Sequence, residues 1–381
     1  MTKPHAGAAA FDVIIVGGGP AGAATAIALA RRGLRAVIIE RHAAPPPRVG
    51  ETLPPAARNP LERLGVWERF VADGHEPAVG NRSAWGADRI DEVHFIRSAY
   101  GEGWHIDRQR FEAMLLDAAH DLGVTVLAPA RLDAWRGSEG GGHIAVLENA
   151  TLSAPFAVDA SGRASFLARI LGAERVAIDQ LVAATLFLGP RAPDPQQRFT
   201  LIEAVEDGWW YTAPLPGERL VAAFMTDGDL DICASLRERD GWLSAARHAP
   251  ATRERIAAYA MDDAAPRIAA ANTSRLNSVV GPGWLAVGDA AVSFDPLSSQ
   301  GIVTALESAL EAADAIVDGG QAAMSRYASI ASQRYRDYLV ERARYYGAEH
   351  RWPDAPFWRR RHLPRDESSV TSGSRRESPT S

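Results

Sequence analysis

The chain has 381 residues, of which 46% are hydrophobic, and carries a formal net charge of −6 with a pI near 6.0. This length can supply the core of two domains or of one large domain, and the acidic balance argues against a nucleic-acid partner. Cys233 is the only cysteine, which excludes an internal disulfide framework and is typical of a cytoplasmic protein. Because we find no run of about 20 apolar residues and no cationic start before an apolar stretch, we predict neither a membrane span nor a secretory signal.

The first predicted elements form a βαβ unit. The β-branched run Phe11–Val16 is typical of a strand buried on both faces. Gly17, Gly19 and Gly22 then form the pattern G-x-G-x-x-G ahead of an alanine-rich helix. The next strand ends at Glu40, about 20 residues after the glycines, where an acid that binds a ribose diol is expected. A diphosphate would lie at the helix start, where free N–H groups and the helix dipole favour an anion.

The remaining patterns predict a mixture of helices and antiparallel strands. In chain order we predict a helix over about 107–122, an antiparallel sheet over 181–225, a strand, loop and helix over 283–320, and a helix over 325–346. The stretch 361–381 is polar and rich in Ser, Arg and Pro, which predicts a disordered tail. No internal repeat is evident.

Three neighbouring aromatic residues stand out in the segment 207–216, which reads DGWWYTAPLP. On a strand, Trp209 and Tyr211 would share one face and Trp210 would take the other. One face can then line a substrate pocket while the other packs. Core packing of all three side chains is the alternative.

The order of three blocks resembles the family of FAD-dependent aromatic hydroxylases and flavin-dependent halogenases. The first block is the glycine pattern with Glu40, the second is GDAAVSFDP at 288–296, and the third is DASGR at 159–163. The resemblance runs from Phe11 to about Asp318 and implies FAD as cofactor. A second G-x-G-x-x-G, as an NAD domain would need, is not present.

This resemblance also implies the fold class and the division of the chain. We predict an α/β protein in which a Rossmann-type FAD-binding domain is interleaved with an antiparallel-sheet substrate domain. The FAD-binding domain would be discontinuous, over 8–80, 101–180 and 272–350, and the substrate domain would comprise 81–100 and 181–271.

The resemblance further implies where the cofactor is held. Asp289 is similar to the acid that holds the ribityl chain, and the turn DPLSSQGI would present a positive helix end to the negative edge of a reduced flavin. Arg108 resembles an arginine that reaches the cofactor, with Arg110 as the alternative, and RVGETLPP matches a loop along the other flavin face. The predicted cofactor contacts are Gly17, Gly19, Pro20, Ala21, Gly22, Glu40, Arg41, Arg48, Glu51, Thr52, Arg108, Asp289, Pro296, Ser299, Gln300, Gly301 and Ile302.

Lysine usage separates hydroxylation from halogenation. Halogenases of this family carry a lysine that holds or captures the oxidised halide, and arginine is unsuited to this role because it is delocalised and always protonated. In the family that lysine falls near the block written here as EPAVGNRSAWG, where this chain has Ala78, Val79 and Gly80, and Lys3 is the only lysine. The pattern W-x-W-x-I-P of tryptophan halogenases is matched only partly at 209–214. We therefore predict that the halogenating centre is missing.

These patterns predict an FAD-dependent monooxygenase that uses O2 to hydroxylate an electron-rich ring, such as indole or tryptophan, through a flavin C4a-hydroperoxide. The blocks GETLPP, NRSAWG, GWHIDR, DPLSSQGI and RWPDAPFW also resemble halogenase-like flavoproteins that mature quinone-cofactor enzymes by hydroxylating a peptidyl tryptophan. A small aromatic molecule and a tryptophan-containing partner protein both stay open as substrates. The alternatives are a tryptophan halogenase, a C=C reductase of the prenyl reductase type, and a non-enzymatic flavin-binding protein.

The electron source and the acid–base chemistry are less defined. Either NAD(P)H docks transiently or a separate flavin reductase delivers the electrons. His75, His94 and His105 lie near the motif blocks, but each is more typical of a structural histidine than of an acid or base. We assign no catalytic residue and expect no metal.

Overall fold

The structure is a computed structural model that describes residues 9–46, 49–95, 98, 100–138, 141–190 and 198–362. It is a mixed α/β protein dominated by one mainly parallel and one mainly antiparallel sheet. Within these ranges no helix has both the length and the apolar character that crossing a bilayer requires.

The strands are numbered in chain order through the described residues. They are β1 (Ala9–Ala10), β2 (Val13–Val16), β3 (Ala36–Ile39), β4 (Thr52–Leu53), β5 (Glu76–Ala78), β6 (Gly80–Ala84), β7 (Asp91–His94), β8 (Gly103–His105), β9 (Thr125–Leu127), β10 (Leu132–Gly137), β11 (His143–Leu147), β12 (Thr151–Ala154), β13 (Phe156–Asp159), β14 (Arg175–Ala177), β15 (Leu181–Leu188), β16 (Phe199–Val205), β17 (Gly208–Leu215), β18 (Arg219–Asp227), β19 (Arg267–Ala270), β20 (Ser274–Leu276), β21 (Val280–Gly281), β22 (Trp284–Ala286) and β23 (Val292–Ser293).

The α-helices are numbered in the same way. They are α1 (Pro20–Ala30), α2 (Arg58–Leu64), α3 (Trp67–Ala72), α4 (Arg108–Asp121), α5 (Phe166–Ile170), α6 (Ile232–Ser235), α7 (Arg239–Ala246), α8 (Pro250–Ala257), α9 (Gly301–Asp318), α10 (Gly320–Gly347) and α11 (Pro356–His362). Short 3₁₀ turns at Gly288–Ala290 and Pro296–Ser298 lie between β22 and α9.

The mainly parallel sheet has the strand order β21-β22-β13-β2-β3-β9. All its pairs are parallel except the edge pair of β21 with β22. Every residue of β2 and β3 is buried, as expected for strands whose two faces are both covered. The helix α1 packs against α4 and α9. The predicted βαβ unit is thus confirmed as β2, α1 and β3.

The mainly antiparallel sheet has the order β19-β15-β18-β17-β16-β6-β7. Its pairs are antiparallel except that of β16 with β6. Its apolar side chains form two separate clusters, one on each face, because successive residues of a strand point to opposite sides. The antiparallel sheet predicted over 181–225 is confirmed.

Three smaller sheets and the C-terminal helices complete the fold. Their strand orders are β1-β12-β11-β10, β4-β8-β5 and β14-β20-β23. The helix predicted over 107–122 is α4, and the one predicted over 325–346 lies within α10. The last helix, α11, ends at His362, so the stretch 363–381 of the predicted tail lies outside the described residues. The predicted domain division stays a prediction.

Candidate functional site

The turn between β2 and α1 depends on close backbone contacts at two glycines. Gly17 has a φ of +112°, and a Cβ atom there would lie 2.3 Å from the carbonyl oxygen of Ala160. A Cβ atom at Gly22 would lie 1.9 Å from the carbonyl oxygen of Gly17. The helical hydrogen bonds of α1 begin at Ala23, whose N–H donates to the carbonyl oxygen of Gly19, the residue just before the helix, over 2.9 Å. The N–H groups of α1 that precede Ala23 can therefore bind a diphosphate.

Glu40 follows β3 and lies against this turn. Its Oε2 atom accepts a hydrogen bond from Gly18 N–H over 2.7 Å, and its Oε1 atom accepts one from His42 N–H over 2.9 Å. These bonds hold the carboxylate beside the glycines, where a ribose diol is predicted. The neighbouring Arg41 is exposed, and its Nε atom lies 2.9 Å from His42 Nε2.

Two further acidic residues lie near the same edge of the parallel sheet. The Asp289 carboxylate is 3.6 Å from Arg163 Nε. Asp159, the last residue of β13, is buried and accepts hydrogen bonds from Ser161 N–H, Ser161 O–H and Ala168 N–H. Burial raises the pKa of Asp159, against the effect of these donors. Because parallel strands end at a common edge, the turns after β2, β3, β13 and β22 meet where dinucleotides bind in open α/β sheets.

The turn before α9 presents a free helix end. Asp295 Oδ1 accepts a hydrogen bond from Leu297 N–H over 3.0 Å, and Ser299 has a φ of +50°. The helical hydrogen bonds of α9 begin at Thr304, whose N–H donates to Gln300 O over 2.9 Å, so the N–H groups at the start of this helix precede its hydrogen-bond ladder. A Cβ atom added at Gly301 would meet no heavy atom within 4 Å. The turn can therefore receive a flat ring with negative charge at one edge.

Asp295 also joins this turn to distant parts of the chain. Its Oδ2 atom accepts a hydrogen bond from Tyr346 O–H over 2.6 Å, and its N–H donates to Tyr338 Oη over 3.0 Å. The Tyr346 hydroxyl in turn accepts a hydrogen bond from Trp209 Nε1–H over 3.1 Å. Burial raises the pKa of Asp295, an effect opposed by the nearby guanidinium of Arg342. The turn, the helix α10 and the strand β17 are thus held together.

The three aromatic residues of β17 alternate as predicted. Trp209 and Tyr211 belong to the apolar cluster on one face of the sheet, which also contacts Leu297 of the turn. Trp210 belongs to the cluster on the other face, where its ring centroid lies 4.8 Å from that of Trp242. All three side chains of this stretch are buried. The face of Trp209 and Tyr211 is therefore the one that lies toward the turn, and its role as a substrate wall stays a prediction.

Thr52 links this face to the loop that was predicted to run along the flavin. Its Oγ1 atom lies 2.9 Å from Tyr211 Oη, 3.1 Å from Thr200 Oγ1 and 3.4 Å from His105 Nδ1. His105 Nε2 lies 3.3 Å from the carbonyl oxygen of Arg198. Burial lowers the pKa of His105 to about 3, so the ring is neutral near pH 7 and orients its neighbours.

The residues next to Thr52 combine a buried acid with an arginine. Glu51 is 1% exposed, and burial raises the pKa of its carboxyl to about 7. Arg108, the first residue of α4, donates to Gly50 O over 3.2 Å and pairs with Glu112 Oε1 at 2.5 Å. Arg110 is exposed, which makes Arg108 the better candidate of the two for a cofactor contact. Arg48 lies outside the described residues.

The other two histidines do not form a catalytic pair. His94 is exposed and near Glu92, at 3.3 Å. The side chain of His75 is buried against the rings of Phe70 and Phe111, and burial lowers its pKa to about 4. Within the described part of the chain, no three His, Cys, Asp or Glu side chains come together in a way that could hold a metal ion.

Comparison with known proteins places this arrangement in a family. A family model described as an FAD binding domain matches residues 10–337. The chain belongs to this FAD-binding family. It is also 32% identical over 360 residues to LodB of Marinomonas mediterranea, described as an FAD-dependent oxidoreductase, across 92% of this chain and 97% of LodB.

Solved structures of similar proteins support the same assignment. The myxobacterial chondrochloren halogenase CndH, an FAD-dependent halogenase, is 27% identical with a TM-score of 0.83, covering 94% of this chain and 87% of CndH. The peptidyl tryptophan dihydroxylase QhpG, essential for tryptophylquinone cofactor biogenesis, is 25% identical with a TM-score of 0.74, covering 93% and 79%. The chain is therefore an FAD-dependent oxidoreductase of a halogenase-like, aromatic-modifying family, and the predicted fold class is confirmed.

The described residues fit an FAD molecule at three points. The free N–H groups at the start of α1 suit the diphosphate, Glu40 suits the ribose, and the open space before Gly301 suits a ring. The individual cofactor contacts stay predictions. Sequence reasoning missed Tyr338 and Tyr346, because their partners lie far away along the chain and no local motif marks them. Arg163 ends the block DASGR, but no sequence pattern indicated its contact with Asp289.

Proposed function

We propose that this protein is an FAD-dependent monooxygenase that hydroxylates an indole or tryptophan ring. The observation that carries the proposal is the absence of lysine where a halogenase needs one. Ala78 is buried in β5, Gly80 opens β6, and the one lysine of the chain, Lys3, lies outside the described residues. An arginine could not replace that amine, because its charge is delocalised and permanent.

The similarity to QhpG supports tryptophan in a partner protein as the substrate. QhpG is described as acting on peptidyl tryptophan. The segment RWPDAPFWRRR at 351–361, which resembles the halogenase-like flavoproteins that mature quinone-cofactor enzymes, packs against the face of the antiparallel sheet that carries Trp209. Trp358 Nε1–H donates to Val205 O over 2.9 Å, and Phe357 and Trp358 share the apolar cluster of Trp209. Free indole or tryptophan is the alternative substrate of the same proposal.

Bound FAD would supply the activation of O2, and the residues of this chain would bind and shield it. The start of α1 holds the diphosphate and Glu40 the ribose, while the positive end of α9 favours negative charge at the turn. Trp209 and Tyr211 exclude water from the face beside the turn, which oxygen transfer requires. Electrons would come from a separate flavin reductase or from NAD(P)H that docks transiently.

The test is the identity of the product. The FAD-loaded protein is reduced chemically and mixed with isotopically labelled O2, with chloride and bromide present. Three probes are compared, namely indole, free tryptophan and a tryptophan-containing peptide. We expect a probe whose mass rises by one or two labelled oxygen atoms, without halogen. The proposal would be contradicted if the reduced protein released peroxide and oxygenated none of the three probes.

Halogenation is the second candidate, favoured by the similarity to CndH over 94% of the chain. A chlorinated or brominated product in the same experiment would support it over hydroxylation. The variant Lys3→Arg then tests the lysine argument, because it removes the only amine side chain and keeps the charge. A halogenated product from Lys3→Arg would show that halogenation here needs no lysine.

A further inference from the structure

Glu51 is a buried acid with one carboxyl oxygen that lacks a partner. Glu51 is 1% exposed, and its Oε2 atom accepts a hydrogen bond from Gly50 N–H over 2.7 Å. The Oε1 atom is buried and has no hydrogen-bond partner. An ionised carboxylate with unmet acceptor sites is costly in the interior, whereas a neutral acid is tolerated better. The geometry therefore favours the protonated form.

The position of Glu51 connects it to the candidate site. Its carbonyl oxygen accepts a hydrogen bond from Ile106 N–H over 2.7 Å, which fixes the loop. The next residue, Thr52, contacts the hydroxyl of Tyr211, and burial, together with the charge of the Glu51 carboxyl, raises the pKa of that phenol. The acid thus belongs to the predicted flavin loop and is next in sequence to Thr52, which contacts the sheet face that carries Tyr211.

The charged and titratable groups around Glu51 do not balance a negative charge on its carboxyl. Arg108 from α4 lowers the pKa of Glu51, but its guanidinium is already paired with Glu112, and the effect of burial is larger. Tyr211 from β17 is neutral, since burial raises its pKa. His105 from β8 is neutral as well, since burial lowers its pKa to about 3. A group that titrates near pH 7 is suited to hold and release a proton during catalysis.

We propose that Glu51 is the acid that supplies the proton consumed when oxygen is transferred, an inference that rests on the proposed function. Reduced anionic flavin, O2, an aromatic C–H group and one proton yield oxidised flavin, an aromatic C–OH group and water. Two electrons come from the reduced flavin and two from the aromatic carbon, and together they reduce both atoms of O2 as the O–O bond breaks. One oxygen atom enters the C–H bond, and the other leaves as water with the hydrogen of the reduced flavin and the proton of Glu51. Solvent then returns a proton to the carboxyl.

The first test reads the carboxyl directly and needs no turnover. Infrared spectra of the wild type and of Glu51→Gln are recorded separately at several pH values around 7 and then compared. We expect a protonated carboxyl band that is present below pH 7, fades above it and is missing in the variant. The matched control is Glu203→Gln, because Glu203 is also buried but accepts hydrogen bonds from Ala251 N–H and Thr252 N–H. A band that is absent at every pH from about 5 to 8 would overturn the proposal.

The second test measures oxygen transfer by the chemically reduced, FAD-loaded protein. We expect Glu51→Gln to slow product formation about 100-fold and to divert reduced flavin toward peroxide, as loss of a general acid does. The wild-type rate should fall as pH rises through 7, since the acid must be protonated, and Glu51→Gln should have lost this pH dependence. Glu51→Asp should recover part of the rate, and Glu203→Gln should keep the wild-type pH profile.

The two proposals fail in different ways. If the wild type oxygenates no probe, the proposed function is wrong, and the infrared titration still reports whether Glu51 holds a proton. If the wild type oxygenates a probe while Glu51→Gln keeps both its rate and its pH profile, the role of Glu51 is wrong and the proposed function stands.

Discussion

Tyr346 donates a hydrogen bond from its hydroxyl to Asp295 Oδ2 over 2.6 Å, although the two residues are 51 positions apart in the chain. The same hydroxyl accepts the indole N–H of Trp209. One phenol near the end of α10 therefore joins the turn before α9 to the aromatic strand β17. The C-terminal helices are part of the framework that holds the candidate site.

Removing this hydroxyl should destabilise the protein. The variant Tyr346→Phe leaves Asp295 Oδ2 and the Trp209 N–H group buried without their partner, which we expect to lower the free energy of unfolding by about 1–3 kcal/mol. Urea unfolding measures the change. The control is Tyr345→Phe, because Tyr345 is 53% exposed. Equal losses in the two variants would contradict the structural role of the hydroxyl.

The glycine turn should not tolerate a side chain at Gly17. In Gly17→Ala the new Cβ atom would lie 2.3 Å from Ala160 O, whereas at Gly33 it would meet no heavy atom within 4 Å, and both glycines have positive φ values. We expect Gly33→Ala to cost about 1 kcal/mol from backbone strain alone. Gly17→Ala should cost more and should abolish FAD binding, which is read from flavin absorbance after purification. Yellow, stable Gly17→Ala protein would show that the turn can move.

Loss of the Glu40 carboxylate should weaken FAD binding. The variant Glu40→Ala removes the acceptor predicted for the ribose diol and also frees the N–H groups of Gly18 and His42. Because hydrogen bonds to a charged group contribute about 1.5–3 kcal/mol, we expect the Kd for FAD to rise about 10- to 100-fold. Quenching of FAD fluorescence on titration into apoprotein measures the Kd. Glu68→Ala, an exposed control, should leave the Kd unchanged.

The two faces of β17 should respond differently to substitution. Tyr211→Phe removes the hydroxyl that contacts Thr52 on the face toward the turn, and we expect the KM for the aromatic substrate to rise about 2- to 10-fold as that wall loses an anchor. Trp210→Phe acts on the opposite face and should lower stability by about 1–3 kcal/mol with little change in KM. Steady-state kinetics and urea unfolding together separate the outcomes. A larger KM change in Trp210→Phe would place the substrate on the other face.

Acid should destabilise the fold through His105. Its pKa is about 3 in the folded protein and near 6.5 in an unfolded chain, so the unfolded state binds more protons between these values. The free energy of unfolding should therefore fall as pH decreases from about 6.5 toward 3. The variant His105→Gln should show a shallower decrease between about pH 7 and pH 4, measured by urea unfolding. His94→Gln, in which an exposed histidine is lost, should retain the wild-type slope.

Much of the fold could be predicted because its determinants are local. The β-branched strand, the glycines at 17, 19 and 22 and the acid at Glu40 lie within one βαβ unit, where spacing and backbone sterics are decisive. The alternation of Trp209, Trp210 and Tyr211 follows from the geometry of a single strand. Family membership rests on the same local blocks, and the match over residues 10–337 confirms it.

What the tertiary structure alone decided is which distant residues meet. Sheet register brings Thr200 and Tyr211 to Thr52, and the packing of α10 brings Tyr346 to Asp295. The protonation of Glu51 and His105 likewise depends on how completely other segments bury them. Sequence by itself determined the nucleotide-binding unit and the type of protein, because short-range sterics govern both. The surroundings of each acid, phenol and histidine arise only when chain segments far apart in sequence pack together and exclude water.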